Sequence, residues 1–390
     1  MSLPIDPRRG SGPRVSVIVP VYNVEAYLRE CLDSIARQTL DDLEVICVND
    51  ASPDRSLAIL TEYAGTDRRF VVLNHMENKG LPGARNSGLD IAKGDFIYFI
   101  DSDDLLASAD ALETLYARSI TDDADEVIGG IVKWNQDTGE KYLDWHKNYL
   151  EKEVCGLSLL DLPQLCANVI ACNKLIRADL INENKIRFNE SILKNEDNPF
   201  SVQIHILSRR ISIVTKTTYI YRQTNSSIMA TAKKTDALYR WMYCHDVFKF
   251  IEENHGRHIF RKFYYPMYSG NLVESAGTLS RFEPSEDEKS SLLLQWKKTV
   301  DILPDDLPDI PSRQRKIFAF IQDGEMDKAW IAATEYSEQV SRVHTELIVQ
   351  LERLKKANLA LLSNVEAVQN SISWRVTSPL RAFSRFIKGT

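Results

Sequence analysis

Nowhere in this chain do about eighteen uncharged apolar residues run together, the length a membrane-spanning helix needs. The first ten residues, Met1 to Gly10, hold no apolar core of the kind a signal peptide has, so a cytoplasmic location is expected. Glycine (16) and proline (14) are few and no long low-complexity stretch occurs, which points to a mostly folded chain. No Cys-x-x-Cys pair appears among Cys31, Cys47, Cys155, Cys166, Cys172 and Cys244; Cys31 and Cys47 fall inside apolar patterns and read as reduced core thiols. The net charge of −7, with no basic stripe carrying aromatics in the first three hundred residues, argues against nucleic-acid binding. Absent too are Gly-x-Gly-x-x-Gly and Gly-x-x-x-x-Gly-Lys-Ser/Thr after the first strand, against a dehydrogenase or a P-loop enzyme. With 390 residues and 44% apolar content, two or three domains with a real core are within reach.

What is present is a rim of chemistry. Gly94-Asp95-Phe96-Ile97-Tyr98-Phe99-Ile100-Asp101-Ser102-Asp103-Asp104 is an apolar strand that ends in three carboxylates within four residues. Such like charge calls for a cation, and a divalent metal holding a diphosphate is one answer, because hard cations take carboxylate and phosphate oxygens together. A solvated Asp-rich turn capping the next helix is the other.

Short β-branched runs alternate with amphipathic stretches from Val15 onward. Strands are expected at 15–20, 43–48, 70–73 and 96–100, and helices at 25–38, 53–63 and 84–92. Near-continuous apolar strands between helices predict an α/β fold, a mostly parallel sheet with helices on both faces, whose ligands sit at the strand C-termini. That edge carries Pro20-Val21-Tyr22-Asn23, Asn49-Asp50-Ala51-Ser52, the run Asn78 to Asn86 with Arg85, and the acids Asp101, Asp103 and Asp104. An aromatic ring and a carboxylate can hold a nucleobase, and an arginine can neutralise phosphate.

Further on the order is less regular. A strand is expected at 126–134, helices at 175–181 and 199–207, and a late strand or hairpin over 211–214 and 217–221. Residues 231–296 read as helices with Trp241, Phe248 and Phe250 as core, and the Pro- and Asp-rich 301–312 reads as a linker. Val340, Leu347, Leu354, Leu361 and Val368 recur every seven residues, with His344, Leu351, Asn358, Val365 and Ile372 four further on. This heptad seam, with a lone Asn358, predicts a homo-oligomer through a coiled coil from about residue 337, or else a long helix packed on its own chain. From Trp374 to Thr390 the chain carries Arg375, Arg381, Arg385 and Lys388 without an acid. That basic amphipathic tail suits either an anionic membrane surface or the chain's own acidic surface.

The motifs Val17-Ile18-Val19-Pro20-Val21-Tyr22-Asn23, Val48-Asn49-Asp50-Ala51-Ser52-Pro53-Asp54, Asn78-Lys79-Gly80 with Ala84-Arg85-Asn86-Ser87-Gly88, the Asp101 to Asp104 turn and Asn195-Glu196-Asp197 follow in one order. Over the first 225 residues the chain resembles the family 2 glycosyltransferases of the GT-A fold. The resemblance implies a GT-A domain over 14–225; the residues around it predict a disordered 1–13, a helical extension over 226–300 and a helical region over 313–372. It further implies that Pro20, Tyr22, Asp50, Arg85 and Asp101 bind the donor, that Asp103 holds Mn2+ or Mg2+ with Asp104 in support, and that Asp197 is the catalytic base. Glu196 then either orients Asp197 or adds an N-terminal helix charge. Two positions depart from the family, Ala51 and Asn195, both standing where glycine is common.

The implied reaction is an inverting transfer from a nucleotide-diphosphate sugar, a uridine diphosphate by resemblance only, to a glycan or lipid-linked acceptor. Ser373 to Arg381 is similar to tails of bacterial surface-polysaccharide enzymes, which fits a protein held peripherally at the inner membrane face. A catalytically silent GT-A scaffold or carbohydrate-binding protein is the rival. A nucleotidyltransferase would want a Gly-rich loop after the first strand, which Pro20 to Asn23 is not.

Overall fold

The computed structural model describes residues 12–143, 152–223, 233–304, 307 and 309–370. The opening strands and helices fall where the apolar pattern places them: β1 (Val15–Val21), α1 (Glu25–Ala36), β2 (Leu43–Asn49), α2 (Ser56–Thr66), β3 (Phe70–Asn74), α3 (Gly80–Ile91) and β4 (Phe96–Phe99). Boundaries move for local reasons. Asp54 accepts from Ser56 N (3.0 Å) and from Glu25 N (2.8 Å), so one carboxylate caps α2 and α1 together and α2 begins three residues after Pro53. Helix α3 starts four residues early because Pro82 lies in its first turn, where the missing N–H is no loss.

Then come β5 (Leu105–Leu106), α4 (Ala111–Thr121), β6 (Glu126–Asn135), β7 (Lys141–Leu143), β8 (Val154–Leu157), β9 (Lys174–Arg177), α5 (Ala178–Glu183), α6 (Asp197–Leu207) and β10 (Ile211–Gln223). One expectation is corrected here. The helix expected at 175–181 is confined to α5; residues 174–177 form a strand instead, inserted antiparallel between β4 and β6, and Leu175 and Ile176 are fully buried because both faces of that strand are covered. Of the late strand or hairpin expected over 211–221, the structure has the strand: residues 211–223 are one long irregular strand, parallel to β6 with register shifts between Ile213 and Tyr219.

The described strands make one sheet in the order β3-β2-β1-β4-β9-β6-β10-β5, with β7 on β6 and β8 on β10. Strands β3, β2, β1 and β4 are mutually parallel, as are β6 and β10, while β9 and β5 run against their neighbours. Parallel register lines up Val21, Asn49 and Asn74, so three strands end level and deliver their following residues to one rim. Gly88 lets α3 close on β1: a Cβ there would lie 2.5 Å from a methyl of Ile18.

Beyond β10 lie α7 (Asp236–Glu252), α8 (Arg261–Ser280), α9 (Glu286–Val300), α10 (Ser312–Gln322) and α11 (Met326–Asn370). They share a second apolar core with Phe248, Tyr264, Tyr268, Trp296 and Phe318 at its centre. Leu303 and Ile310, in the stretch expected as a linker, are buried in the same core. From Ser341 to Gln350 every residue of α11 is exposed, Leu347 among them. The seam residue Ile372 and the tail from Trp374 to Thr390 lie outside the described residues. No helix among the described residues is long and apolar enough to cross a membrane.

Candidate active site

The centre of the rim is Arg85 on α3. Its guanidinium is 3% exposed, pairs with Asp101 Oδ1 at 2.8 Å through Nη2 and with Glu196 Oε1 at 2.6 Å through Nη1, and lies 5.2 Å from the centroid of the Phe188 ring. One buried cation thus joins the acidic end of β4 to the start of α6, across 111 residues of sequence. Its carboxylate partners hold it protonated against burial, and hold it strongly. Phe188 stacks on Phe200 at 4.1 Å and both meet Phe99 edge-on, an aromatic bed beneath the arginine. Asn86, next in sequence, exchanges two hydrogen bonds with Phe188's backbone (both 2.9 Å) and donates to Glu190 Oε1 at 3.0 Å. Adjacent residues of α3 therefore grip the acids and the loop that leads to Glu196 and Asp197.

The three acids of the turn have three different surroundings. Asp101 is engaged by Arg85. Asp104 is fully buried and docks β10: Tyr219 Oη donates to it at 2.6 Å and Arg222 N at 2.7 Å. Burial, then the charges of Asp103 and Asp101, push its carboxyl well up. Asp103, half-buried between them, takes no side-chain hydrogen bond or ion pair from any described residue, and burial with Asp101's charge raises its carboxyl to about 6. Arg222 donates to the Asp103 carbonyl (2.7 Å) and to Glu30 (2.9 Å), sandwiched between the Tyr27 and Trp134 rings.

Asp197 opens α6 beside Glu196. Burial, followed by Glu196's charge, lifts its carboxyl to about 7, with Arg85 acting in the other direction. The preceding Asn195 has φ +62°, and Ala51 at the end of β2 has φ +54°. Both are left-handed positions, which gives a physical reason for glycine at these two sites. The helical extension braces this loop: Lys194 pairs with Asp236, Asn189 donates to Asp246 (2.7 Å), and Tyr268 Oη donates to Asn198 (3.2 Å).

Of the residues singled out from sequence, Arg85, Asp101 and Glu196 are in direct contact, with Asp103, Asp104 and Asp197 next to them in the chain. Pro20 is buried in β1, Tyr22 is half-exposed beside it, and Asp50 follows β2 nearly buried, all on the same rim. Sequence reasoning missed Tyr219 and Arg222, whose pairing with Asp104 spans more than a hundred residues, and His75, which binds Asp50. The only local hint was that β3 ends at Asn74, in register with Asn49, so that His75 and Asp50 leave their strands side by side.

An α/β sheet with acids at its C-terminal rim, followed by helices, has the GT-A architecture. It superimposes on crystal structures of Staphylococcus aureus TarS residues 1–349 with a TM-score of 0.65 at 20–21% identity, covering 84% of this chain and 92% of that one; one of them is a complex with UDP-GlcNAc. The family model "Glycosyl transferase family 2" matches residues 16–184. Glycosyltransferase GlyG of Streptococcus pneumoniae serotype 4 is 32% identical over 225 residues, 56% of this chain and 73% of GlyG. The uncharacterized glycosyltransferase EpsJ of Bacillus subtilis strain 168 is 34% identical over 226 residues, 55% of this chain. The chain belongs to glycosyl transferase family 2. Its match spans 63% of EpsJ, a little under two thirds of that relative's length.

Proposed function

We propose that the protein is an inverting, metal-assisted glycosyltransferase that moves a sugar from a nucleotide-diphosphate donor, a UDP-sugar, to a glycan or lipid-linked acceptor in bacterial surface-polysaccharide synthesis. One observation carries the reading: Arg85 ties the acidic turn at 101–104 to the Glu196-Asp197 helix start, so a leaving-group end and a nucleophile end share one site. On this reading Tyr22, with Pro20 behind it, and Asp50 take the nucleoside, and Asp101 the ribose. Asp103 fits a divalent cation, being the one acid of the turn without a side-chain partner among the described residues. When bound, Mn2+ or Mg2+ neutralises the charge that develops on the departing diphosphate.

The acceptor hydroxyl gives its proton to Asp197 as its oxygen attacks the anomeric carbon and the bond to the diphosphate breaks, which inverts that centre. A carboxyl at about 7 is matched to this task near neutrality. Glu196 is held by Arg85 and so keeps its neighbour's geometry rather than taking the proton. The support from relatives is that TarS of S. aureus is a poly(ribitol-phosphate) N-acetylglucosaminyltransferase and has been solved with UDP-GlcNAc.

The test is transfer and donor hydrolysis over a panel of nucleotide sugars, with and without a chelator. Asp197→Asn retains UDP binding and loses transfer on this reading; turnover near wild type would overturn the base assignment. Activity unaffected by the chelator removes the metal from the proposal.

The remaining organisation belongs to the same proposal: a catalytic domain over 14–225, a bracing helical extension, and a homo-oligomer formed by the seam of α11 at the cytoplasmic membrane face. Of the seam residues, Leu347 and Leu354 are 57% and 64% exposed, which leaves that face bare for a second copy. Light scattering on a chain ending at Gln339 tests it; an unchanged oligomer, or a monomeric full chain, refutes the seam's role.

A further inference from the structure

At the donor rim a second buried network stands behind Asp50. Asp50 Oδ1 accepts from His75 Nδ1 at 2.7 Å and from the backbone N–H of Lys79 at 2.9 Å, while His75 Nε2 lies 2.9 Å from Ser87 Oγ on α3. The two side chains are 3% and 6% exposed. The backbone is fixed as well: Asp50 N donates to the Val21 carbonyl (2.9 Å), His75 N to the Asn49 carbonyl (2.9 Å), and Asn78 Nδ2 to the Asp50 carbonyl (3.2 Å). No described residue donates to the other carboxylate oxygen, Oδ2.

Since a carboxylate only accepts, His75 carries a proton on Nδ1, and in the neutral ring Ser87 donates to Nε2. Ser87 thereby sets the ring's tautomer and tilt, and the ring sets the carboxylate's rotation. With Oδ1 doubly occupied, the oxygen left for a ligand is an acceptor in a fixed direction, almost out of water, where an unmatched partner is penalised most.

We infer that His75, held by Ser87, is the positioning residue that makes this site discriminate between nucleobases, by presenting Asp50 Oδ2 as a rigid acceptor for a ring N–H. Uracil offers such an imide N–H. Cytosine places a ring-nitrogen acceptor at that position and meets the carboxylate lone pair to lone pair. The inference rests on the donor reading above and extends it from which residue faces the base to what makes that residue selective.

Isothermal titration of the full chain with UDP and CDP, both with Mn2+, tests it. Wild type binds UDP the more tightly. His75→Leu is expected to weaken UDP about tenfold, the loss of one hydrogen bond to a charged group, while CDP moves less than about threefold. His75→Gln, which keeps a donor, recovers part of the difference, and Ser87→Ala loses about threefold for UDP alone. Thermal melting verifies that each variant is folded; should His75→Leu fail to fold, the Gln and Ala variants decide. In steady state the donor KM rises more than kcat falls. Equal weakening of UDP and CDP, or no change in either, overturns the role of His75 and leaves the donor reading standing. A wild type that binds neither nucleotide fails the donor reading itself, and the inference with it.

Discussion

Asp197→Asn should make the folded protein more stable at pH 8 while abolishing transfer. The wild-type carboxyl is raised from its ordinary 3.8 to about 7, first by burial and then by Glu196. A group whose pKa is raised on folding binds its proton more tightly in the native state. Its contribution is therefore fully favourable below about pH 4 and is lost as pH climbs through 7. A rise of that size corresponds to about 4 kcal/mol as a ceiling. Two effects reduce it: Asp197 keeps partial solvent contact, and an acid in the first turn of a helix gains about 0.5 kcal/mol from the helix dipole. We expect the asparagine, which keeps the Oδ1 that accepts from Asn198, to add on the order of 2 kcal/mol at pH 8 and nothing at pH 4. Urea unfolding of the metal-free and nucleotide-free protein at pH 4, 6 and 8 measures this directly. A difference that is constant with pH, or a wild type more stable than the variant at pH 8, refutes the electrostatic account of the site.

Arg85→Met leaves Glu196 and Asp101 facing each other without a cation, and loses about 3–5 kcal/mol at neutral pH by urea unfolding; a loss below about 1 kcal/mol would mean the bridge is not what holds the two ends together. Ala51→Gly relieves a left-handed alanine at φ +54° at the expense of a more flexible unfolded chain, so the melting temperature stays level or rises by the equivalent of about 0.5 kcal/mol. A clear fall in melting temperature counts against strain there. With Asp103 protonated below about pH 6, Mn2+ must displace a proton, so its affinity measured by titration falls steeply from pH 7 to pH 5. A pH-independent affinity moves the cation elsewhere.

How far the sequence could be read depended on the range of the interactions. Strands β1 to β4 and their helices follow from apolar runs of four to seven residues such as Val15–Val21 and Leu43–Asn49, because parallel strands such as β1, β2 and β4, buried on both faces, leave that imprint. The rim residues followed from the same frame, since strand ends in register must share an edge. What the frame could not supply was partnership across the fold. Residues 175–177 read as the start of a helix over 175–181 because so short a segment carries too little periodicity, and the strand identity of Lys174–Arg177 comes from the gap between β4 and β6 that it fills. The pairing of Arg85 with Glu196, of Asp104 with Tyr219, and of Asp50 with His75 depends on crossovers that no local spacing records.

Those partnerships also explain how three acids can share one turn. Left bare, Asp101, Asp103 and Asp104 would raise each other's pKa values and strain the loop. Arg85 takes the charge of Asp101. Asp104 is turned inward, where its pKa is pushed well up and β10's tyrosine and backbone satisfy it. Of the three, Asp103 alone has no side-chain partner among the described residues, and the cation that its neighbours would otherwise need is already present as a guanidinium. The turn is therefore held without a metal, and on the proposed reading, in which Asp103 is the ligand for one, folding and cation binding would be separable properties of the same four residues.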